Sequence, residues 1–151
     1  MRPTAKTLGV IFKEGSVLLE QQNRKHSKGT GVFYRPLGGT IELGEKSGDA
    51  LKREYKEEIG AEIEIDCYLG CLESIFRVDD QTGHEIILLY AASFKDPMLY
   101  EEELFHVTEP GKETVAIWVP LEEMENETCI VYPEETKEKI KEYLAQKNCR
   151  H

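Results

Sequence analysis

Residues 38–61 constrain the fold more than any other stretch, because a glycine pair and a turn lead there into a highly charged helix. The helix places Glu54, Glu57 and Glu58 at positions i, i+3 and i+4, so the three carboxylates share one face. Like charges at this spacing repel one another and destabilise an isolated helix. We therefore expect a positive partner among them, and a hard divalent cation with oxygen ligands suits three carboxylates.

The apolar side of the same helix shows where the acidic face lies. Leu51, Tyr55 and Ile59 recur every four residues and form the predicted buried stripe. At 100° per residue, the centre of the acidic face lies roughly 100° from this stripe. The carboxylates should therefore sit at the rim of the core rather than opposite it. Ser47 or Asp49 is the predicted cap at the start of the helix.

Composition limits the class of protein. The 151 residues include 40% hydrophobic and 32% charged residues, which predicts one globular domain over 1–151 with its own core. The net charge of −10 argues against a general nucleic-acid or membrane binder, since such proteins need a basic surface. A small anionic substrate is compatible with it, because bound cations can reverse the local field. The sequence leaves a homodimer open.

Cysteine usage and hydropathy predict a cytoplasmic, reduced setting with free thiols. The cysteines are Cys67, Cys71, Cys129 and Cys149, and none forms a C-x-x-C pair. The start of the chain has too short an apolar run for a secretory signal. The longest apolar run, 86–92, is too short to span a membrane. Cys67 and Cys71 are predicted to share one face of a strand as small buried hydrophobic residues.

Periodicity predicts an α/β fold. Six elements are predicted around the charged helix: strands over 5–12, 16–21, 32–35, 86–94 and 115–119, and a closing helix over 133–146. Residues 61–79 alternate in polarity, and a change of parity near Gly70 predicts a bulge or a break between strands. The run 86–94 is almost continuously apolar, as in a strand covered on both faces. We therefore expect a mixed sheet between helices.

Two segments are predicted to be loops. Residues 23–31 hold three fixed positive charges, a histidine and two glycines, and 96–112 is polar and rich in glutamate. The basic segment either captures phosphate or is an ordinary solvated loop. Arg35 likewise either reaches a substrate phosphate or base or pairs with a surface carboxylate.

The charged stretch resembles the signature of the Nudix hydrolases, G-x5-E-x7-R-E-U-x-E-E-x-G-U, in which U is a bulky apolar residue. Its fixed positions are filled at the right spacing by Gly39, Glu45, Arg53, Glu54, Glu57, Glu58 and Gly60. Tyr55 fills the first U, and Ala61, which is smaller than usual, fills the last. The flanking runs Arg-Pro-Leu-Gly-Gly and Trp-Val-Pro-Leu-Glu-Glu are also similar to the family.

The resemblance implies a Nudix-type α/β/α sandwich that uses Mg²⁺ or Mn²⁺. It implies that Glu57 and Glu58 are metal ligands and that Glu54 is a ligand or orients the attacking water. The backbone carbonyl of Gly38 is the further ligand that it implies. Glycine at that position lets the backbone approach an ion closely.

The remaining residues of this signature, called the Nudix box, are implied to be structural. In the family, the residues matching Glu45 and Arg53 form an ion pair that fixes the loop against the helix. Gly39 and Gly60 are the two structural glycines.

Other side chains remain open candidates. Many Nudix enzymes add a general base from a later part of the chain, and the candidates here are His84, Glu85, Glu101, Glu102, Glu103, Glu109 and Glu113. Aromatic residues could stack on a nucleobase, although each is more often a core residue. The aromatic candidates are Phe33, Tyr34, Phe76, Tyr90 and Trp118.

The activity that the resemblance implies is hydrolysis of a nucleoside diphosphate linked to another moiety, a small-molecule nucleotide derivative. The nearest alternative is a house-cleaning hydrolase of nucleoside triphosphates, including oxidised ones. Removal of an RNA cap or 5′ pyrophosphate is disfavoured by the acidic chain. A non-catalytic regulator that binds nucleotides is disfavoured by the complete set of glutamates.

Overall fold

The computed structural model of the protein describes residues 2–149, without the side chains of Lys112, Asn148 and Cys149. Its strands are β1 (Thr4–Lys13), β2 (Ser16–His26), β3 (Gly29–Arg35), β4 (Leu37–Thr40), β5 (Ile63–Val78), β6 (Gln81–Phe94), β7 (Leu104–Glu109) and β8 (Lys112–Pro120). The helices are α1 (Ser47–Ile59) and α2 (Thr136–Cys149), with short 3-10 turns at Pro97–Glu101 and Leu121–Glu125. Neither α1 nor α2 is long and apolar enough to cross a membrane.

The sheet consists of two half-sheets that meet at one hairpin. Its order is β5-β6-β1-β2-β8-β7, with β4 paired to β1 and β3 paired to β2. Strands β1 and β6 are parallel and the other pairs are antiparallel, which makes the sheet mixed. Strands β1 and β2 pair in register only at Phe12–Val17 and Lys13–Ser16. Beyond these pairs the two strands diverge, which opens a cleft between the half-sheets.

Hydrophobic residues cover both faces of the sheet. On one face Leu51 and Tyr55 of α1 pack in a cluster with Ala92 of β6. On the other face Ile140 of α2 packs in a cluster with Leu89 of β6. Strand β6 therefore contributes to two cores, which explains its continuous apolar sequence. The predicted mixed sheet between two helices is confirmed.

One buried tyrosine holds α1 against the sheet. The hydroxyl of Tyr55 donates a hydrogen bond of 2.8 Å to the carbonyl oxygen of Gly9 in β1. A Cβ atom at Gly9 would lie 3.0 Å from a methyl group of Leu51, so the glycine permits this close approach. Burial raises the pKa of Tyr55 far above its usual value, with a smaller contribution from the charge of Glu58. The hydroxyl therefore remains a donor throughout the physiological pH range.

Both predicted loops contain strand. Residues 23–31 form the ends of β2 and β3, and Arg24 pairs with Gly31. Gly29 and Gly31 have φ angles of 134° and 138°, which glycine adopts readily, so the glycines shape a hairpin end rather than interrupt it. Residues 96–112 contain β7, where only Phe105 and Val107 are buried. Two apolar residues among several acids are too short a pattern to indicate a strand.

The prediction for the start of α1 was wrong. Lys46 is the N-cap residue and makes no side-chain capping bond. Ser47 lies inside the helix, where its hydroxyl bonds to the hydroxyl of Tyr90. At the other end Gly60 has a φ angle of 68°, the left-handed conformation in which helices commonly end.

The cysteine prediction was wrong for Cys71. Strand β5 is continuous but has register shifts between Ile65 and Cys67 and between Tyr68 and Gly70, so the expected irregularity is a pair of bulges. A bulge inserts one residue and reverses the side that later residues face. Cys67 is therefore partly buried against the core, whereas Cys71 is exposed. The thiol of Cys149 lies outside the described side chains.

The Tyr55–Gly9 bond provides a test of how α1 is held. We expect Tyr55→Phe to lower the free energy of unfolding by about 1–2 kcal/mol, because the buried carbonyl of Gly9 loses its donor. Urea unfolding followed by circular dichroism measures this difference. Tyr68→Phe is the control, because Tyr68 is exposed and its substitution should change stability by less than about 0.5 kcal/mol. Equal stability of the two variants would contradict this role of Tyr55.

Candidate active site

The glycine pair allows α1 and β4 to approach each other closely. Gly38 has a φ angle of 151°, and a Cβ atom there would lie 2.0 Å from the carbonyl oxygen of Thr7. A Cβ atom at Gly39 would lie 2.5 Å from the carboxyl carbon of Glu54. Gly38 is therefore required for the contact with β1, and Gly39 makes room for the carboxylate of Glu54.

Arg53 connects the loop, the helix and β4. Its Nε and Nη2 atoms donate to the two carboxylate oxygens of Glu45 at 2.7 and 3.0 Å, a bidentate pair. Its Nη1 atom donates to Glu54 at 2.9 Å and to Glu57 at 3.2 Å. Nη2 also donates to the carbonyl oxygen of Thr40 at 3.1 Å. One guanidinium group thus fixes the loop and orients two of the three helix glutamates.

Arg53 favours the charged form of Glu45. The hydrogen bond from Arg53 holds the pKa of Glu45 below its usual value, and the backbone N–H of Glu42 adds a second bond in the same direction. A carboxylate with a lowered pKa stabilises the fold above its ordinary pKa, and this contribution is lost as the pH falls through the lowered value. The loop should therefore stay bound to the helix to a lower pH than it would with an unpaired glutamate.

Glu58 is buried without a complete set of partners. Glu58 is only 5% exposed, and no described group forms a hydrogen bond with its Oε1 atom. Burial raises the pKa of Glu58 to about 10, with further contributions from a hydrogen bond with Glu54 and from the charges of Glu20, Glu54 and Glu109. A buried carboxylate needs either a proton or a cation.

A cleft of about 430 Å³ opens beside these residues, where the half-sheets diverge. Carboxylates and fixed positive charges both line it. The acidic residues are Glu20, Glu42, Glu54, Glu57 and Glu109, and the basic residues are Lys6, Arg24, Arg35 and Arg53. Carboxylates can hold a cation, and the basic side chains can bind phosphate oxygens. The cleft therefore suits an anionic ligand together with a metal ion.

The carboxylates are not arranged as a finished metal site. Within residues 2–149, no three acidic, histidine or cysteine side chains surround one point as ligands. Glu54 and Glu57 bond to Arg53 instead, and Glu57 has a side chain 61% exposed. The donor set and the unpartnered oxygen of Glu58 nevertheless fit a hard cation such as Mg²⁺ or Mn²⁺.

A family model described as NUDIX domain matches residues 2–143. The chain belongs to the Nudix family. Solved structures of other proteins share the fold. An Escherichia coli protein, ORF135, gives a TM-score of 0.61 at 23% identity, covering 99% of this chain and 94% of that one. A Nudix hydrolase from Nitrosomonas europaea gives 0.68 at 17% identity, covering 96% and 90%. The predicted α/β/α sandwich is confirmed.

Two curated relatives match part of the chain. An ADP-ribose pyrophosphatase of Methanocaldococcus jannaschii is 34% identical over 90 residues, which is 60% of this chain and 50% of the relative. The low-salt glycan biosynthesis protein Agl8 of Haloferax volcanii is 34% identical over 86 residues, which is 57% of this chain and 53% of the relative. The chain thus spans about half the length of the curated relatives it matches.

The Nudix box does not include every residue of the cleft. Glu20 is 5% exposed, lies across the cleft on β2 and accepts a hydrogen bond from the hydroxyl of Thr114. Lys6 and Gln22 also line the cleft. Sequence reasoning missed all three. The available signal for Glu20 and Gln22 was a glutamate and a glutamine that directly follow the buried, apolar residues 17–19 of the same strand.

The candidates for a general base separate clearly by position. Of the seven, Glu109 lines the cleft, at the end of β7. Glu85 is bound to Arg35 at 2.8 Å and lies 3.6 Å from Lys6. Glu101, Glu102 and Glu103 are exposed near the 3-10 turn, and Glu113 faces a different surface. His84 is half-buried and does not line the cleft.

The basic segment is mostly engaged in structural contacts. Lys25 pairs with Asp79, and Lys28 pairs with Glu134 at 3.4 Å. Arg24 is the member of this segment that lines the cleft. Arg35 combines both predicted roles, because it pairs with a carboxylate and also lines the cleft.

Two of the five aromatic candidates line a cavity beside the cleft, namely Phe33 and Phe76. Trp118 is partly buried against the α1 core, donates its indole N–H to the carbonyl oxygen of Glu102 at 2.8 Å, and does not line the cleft. Tyr34 and Tyr90 are partly buried against the two cores.

The space at Gly39 can be tested by filling it. We expect Gly39→Ala to lower turnover by about 100-fold, because the new methyl group displaces the carboxylate of Glu54 and a shift of about 1 Å can have that effect. Gly48→Ala is the matched control. Gly48 lies in α1, where a Cβ atom would have no neighbour closer than 4.0 Å. Steady-state kinetics compare the two variants, and similar rates would show that the position of Glu54 does not matter.

The raised pKa of Glu58 predicts a pH-dependent loss of stability in the metal-free protein. A pKa raised on folding means that stability falls as the pH rises from the ordinary value of 4.5 towards about 10. Glu58→Gln should therefore stabilise the protein in EDTA by about 1–3 kcal/mol at pH 8 and have little effect at pH 4. Glu57→Gln is the control, because Glu57 is exposed. Urea unfolding in EDTA measures the free energy of unfolding of each variant at pH 4 and pH 8. A Glu58→Gln variant that is less stable than the wild type at pH 8 would refute this account.

Proposed function

We propose that residues 1–151 form one domain that hydrolyses a nucleoside diphosphate linked to another moiety, with Mg²⁺ or Mn²⁺ as cofactor. The observation that carries this proposal is the unpartnered carboxylate of Glu58, buried beside a cleft that contains both acids and bases. A ligand that brings cations and phosphates together would satisfy both sets of charges. Membership of the Nudix family supports the same chemistry.

The metal ligands in this proposal are Glu57, Glu58, the carbonyl oxygen of Gly38, and Glu54 as a ligand or as the group that orients water. When bound, the ion would neutralise phosphate charge and lower the pKa of a coordinated water molecule. Since burial raises the pKa of Glu58, a cation would replace the proton on this carboxyl, and metal affinity should therefore rise with pH. Arg53 holds Glu54 and Glu57 at the cleft before any substrate arrives.

Positive side chains would bind the phosphates. Lys6, Arg24 and Arg35 come from three different strands and all line the cleft. Arginine can donate two parallel hydrogen bonds to phosphate oxygens, which orients the group as well as attracting it. These residues would hold the pyrophosphate so that a water molecule can attack one phosphorus atom.

Glu109 is our candidate for the general base. It lines the cleft with Glu54 and Glu57 but makes no ion pair among the described residues. In the reaction, Glu109 would accept a proton from the attacking water as its oxygen bonds to phosphorus. The bond between phosphorus and the bridging oxygen would break, leaving a nucleoside monophosphate and a phosphorylated second product.

A panel of substrates tests the proposal. The protein is incubated with ADP-ribose, nucleotide sugars and nucleoside triphosphates, each with Mg²⁺ or Mn²⁺, and the phosphorylated products are resolved. We expect turnover of a diphosphate-linked substrate to exceed that of the triphosphates. Preference for triphosphates would support the house-cleaning alternative. Tight binding of nucleotides without any turnover would support the regulator.

Substitution of single acids tests the roles of the residues. Glu57→Gln should reduce turnover by at least about 100-fold at saturating Mg²⁺, because a neutral amide is a poor ligand for a hard cation. Asp49→Asn removes an exposed acid from the same helix and should leave turnover within about twofold. A Glu57→Gln variant with near wild-type rates would show that the metal assignment is wrong.

A further inference from the structure

A narrow slot of about 70 Å³ lies beside the cleft, between two hairpins. One side is formed by β2 and β3 and the other by β5 and β6. Tyr132 and Pro133 line it as well. The N–H group of Tyr132 donates to the carbonyl oxygen of Tyr34 in β3 at 2.9 Å, which fixes this segment to the first hairpin. The slot is therefore built from four strands and a segment that is hydrogen-bonded to one of them.

Two ion pairs connect the hairpins across the slot. Lys25 of β2 pairs with Asp79 in the turn between β5 and β6, where both side chains are exposed. Arg35 of β3 pairs with Glu85 of β6 at 2.8 Å, and the Glu85 side chain is 12% exposed. The second pair is the more protected one. It also lies next to the cleft, because Arg35 lines both cavities.

The slot has aromatic walls. Phe33, Phe76 and Tyr132 line it, and the Phe33 and Tyr132 rings meet edge to face at 5.4 Å. Phe76 lies over Gly83, its cross-strand partner, where a Cβ atom would be only 2.3 Å from the ring. Any larger residue at Gly83 would push Phe76 aside. The wall of the slot thus depends on a specific glycine.

Two of the three basic residues that line the slot are paired with carboxylates. Lys25 is neutralised by Asp79 and Arg35 by Glu85, while Arg24 lies over the Phe33 ring at 5.2 Å. A neutral planar ring suits the aromatic walls and the mixed polar edge. The small volume, about half that of a cavity that holds benzene, means that such a ring enters by its edge.

We propose that the slot takes the base of the nucleotide substrate and that the Arg35–Glu85 pair makes guanine the preferred base. This inference rests on the proposed function for the substrate class. Glu85 offers two oxygens with about four acceptor sites, and the bond from Arg35 and the nearby Lys6 leave sites free. Guanine presents two adjacent donors, N1–H and N2–H₂, which match a carboxylate. Its O6 acceptor lies beside them, where Arg35 can donate.

The other bases match the pair less well. Adenine presents the N1 acceptor beside one amino donor, so a lone pair would face a carboxylate oxygen. Uracil has one donor between two carbonyl groups, and cytosine has an amino donor beside an acceptor. Each mismatched donor or acceptor at a base edge reduces affinity by about 1–3 kcal/mol, or roughly 5- to 150-fold.

Binding of nucleoside monophosphates tests this without metal or turnover. Calorimetric titration in EDTA compares GMP, AMP and ribose 5-phosphate, which lacks the base. We expect GMP to bind at least about 10-fold more tightly than AMP and ribose 5-phosphate. Phe76→Ala should weaken GMP binding about 10-fold without affecting ribose 5-phosphate. Tyr68→Ala, an aromatic residue on the same strand outside the slot, is the matched control.

Glu85→Gln gives the sharper test, because the amide replaces one acceptor by a donor. The ratio of GMP to AMP affinity should fall about 10-fold or invert, since an amide can pair bidentately with adenine. Glu64→Gln, an exposed acid on β5, should leave the ratio unchanged. A general disturbance of the slot would weaken both nucleotides and leave their ratio unchanged, which would overturn the proposal.

The outcomes separate this inference from the proposed hydrolysis. Wild-type protein that binds AMP as tightly as GMP, or binds neither at millimolar concentration, overturns the base assignment even if diphosphate substrates are hydrolysed. A clear GMP preference that Glu85→Gln abolishes supports the base assignment even if no substrate is turned over. In that case the hydrolase proposal alone fails.

Discussion

The bidentate bond between Arg53 and Glu45 is the interaction on which the site depends. Arg53 belongs to α1 and Glu45 to the loop that precedes it, and the same guanidinium group reaches Thr40 at the end of β4. Lysine could not replace it, because a single ammonium group lacks the planar fork that serves several acceptors at fixed angles. The repulsion expected among the helix glutamates is thus partly offset by a positive charge that the chain itself supplies.

Burial then gives the three glutamates different properties. Glu57 is exposed, Glu54 lies against Gly39, and Glu58 is enclosed with an unpartnered oxygen. The helix alone would present three equivalent carboxylates. The packing of α1, held by the Tyr55 hydroxyl on β1, turns one of them inward. A fold that keeps such a group must tolerate lower stability in the absence of a cation.

The box helix, its buried stripe and the mixed sheet could be predicted from sequence because each depends on local spacing. The ends of β2 and β3 could not, because their residues are polar and include two glycines, a composition typical of a loop. Strand β7 could not, because its apolar pattern is only two residues long. The cleft residues Lys6, Glu20 and Glu109 are separated by up to about a hundred positions, and no local pattern connects them. Their convergence follows from the divergence of β1 and β2, which is a property of the whole sheet. Cys71 is exposed rather than buried because of the bulges in β5. The alternation of polarity indicated an irregularity near Gly70 but not the number of bulges.

The seam between the two half-sheets has a consequence for folding. The cleft lies where β1 leaves β2, and its lining comes from strands as far apart in the chain as β1 and β7, with α1 between them. Contacts between residues so far apart close late, because they require the most loop entropy to be lost. A partly folded chain can hold the box helix and one core without having a cleft. Ligand-binding capacity should therefore return only in the last phase of refolding, which makes it a reporter of complete assembly rather than of secondary structure.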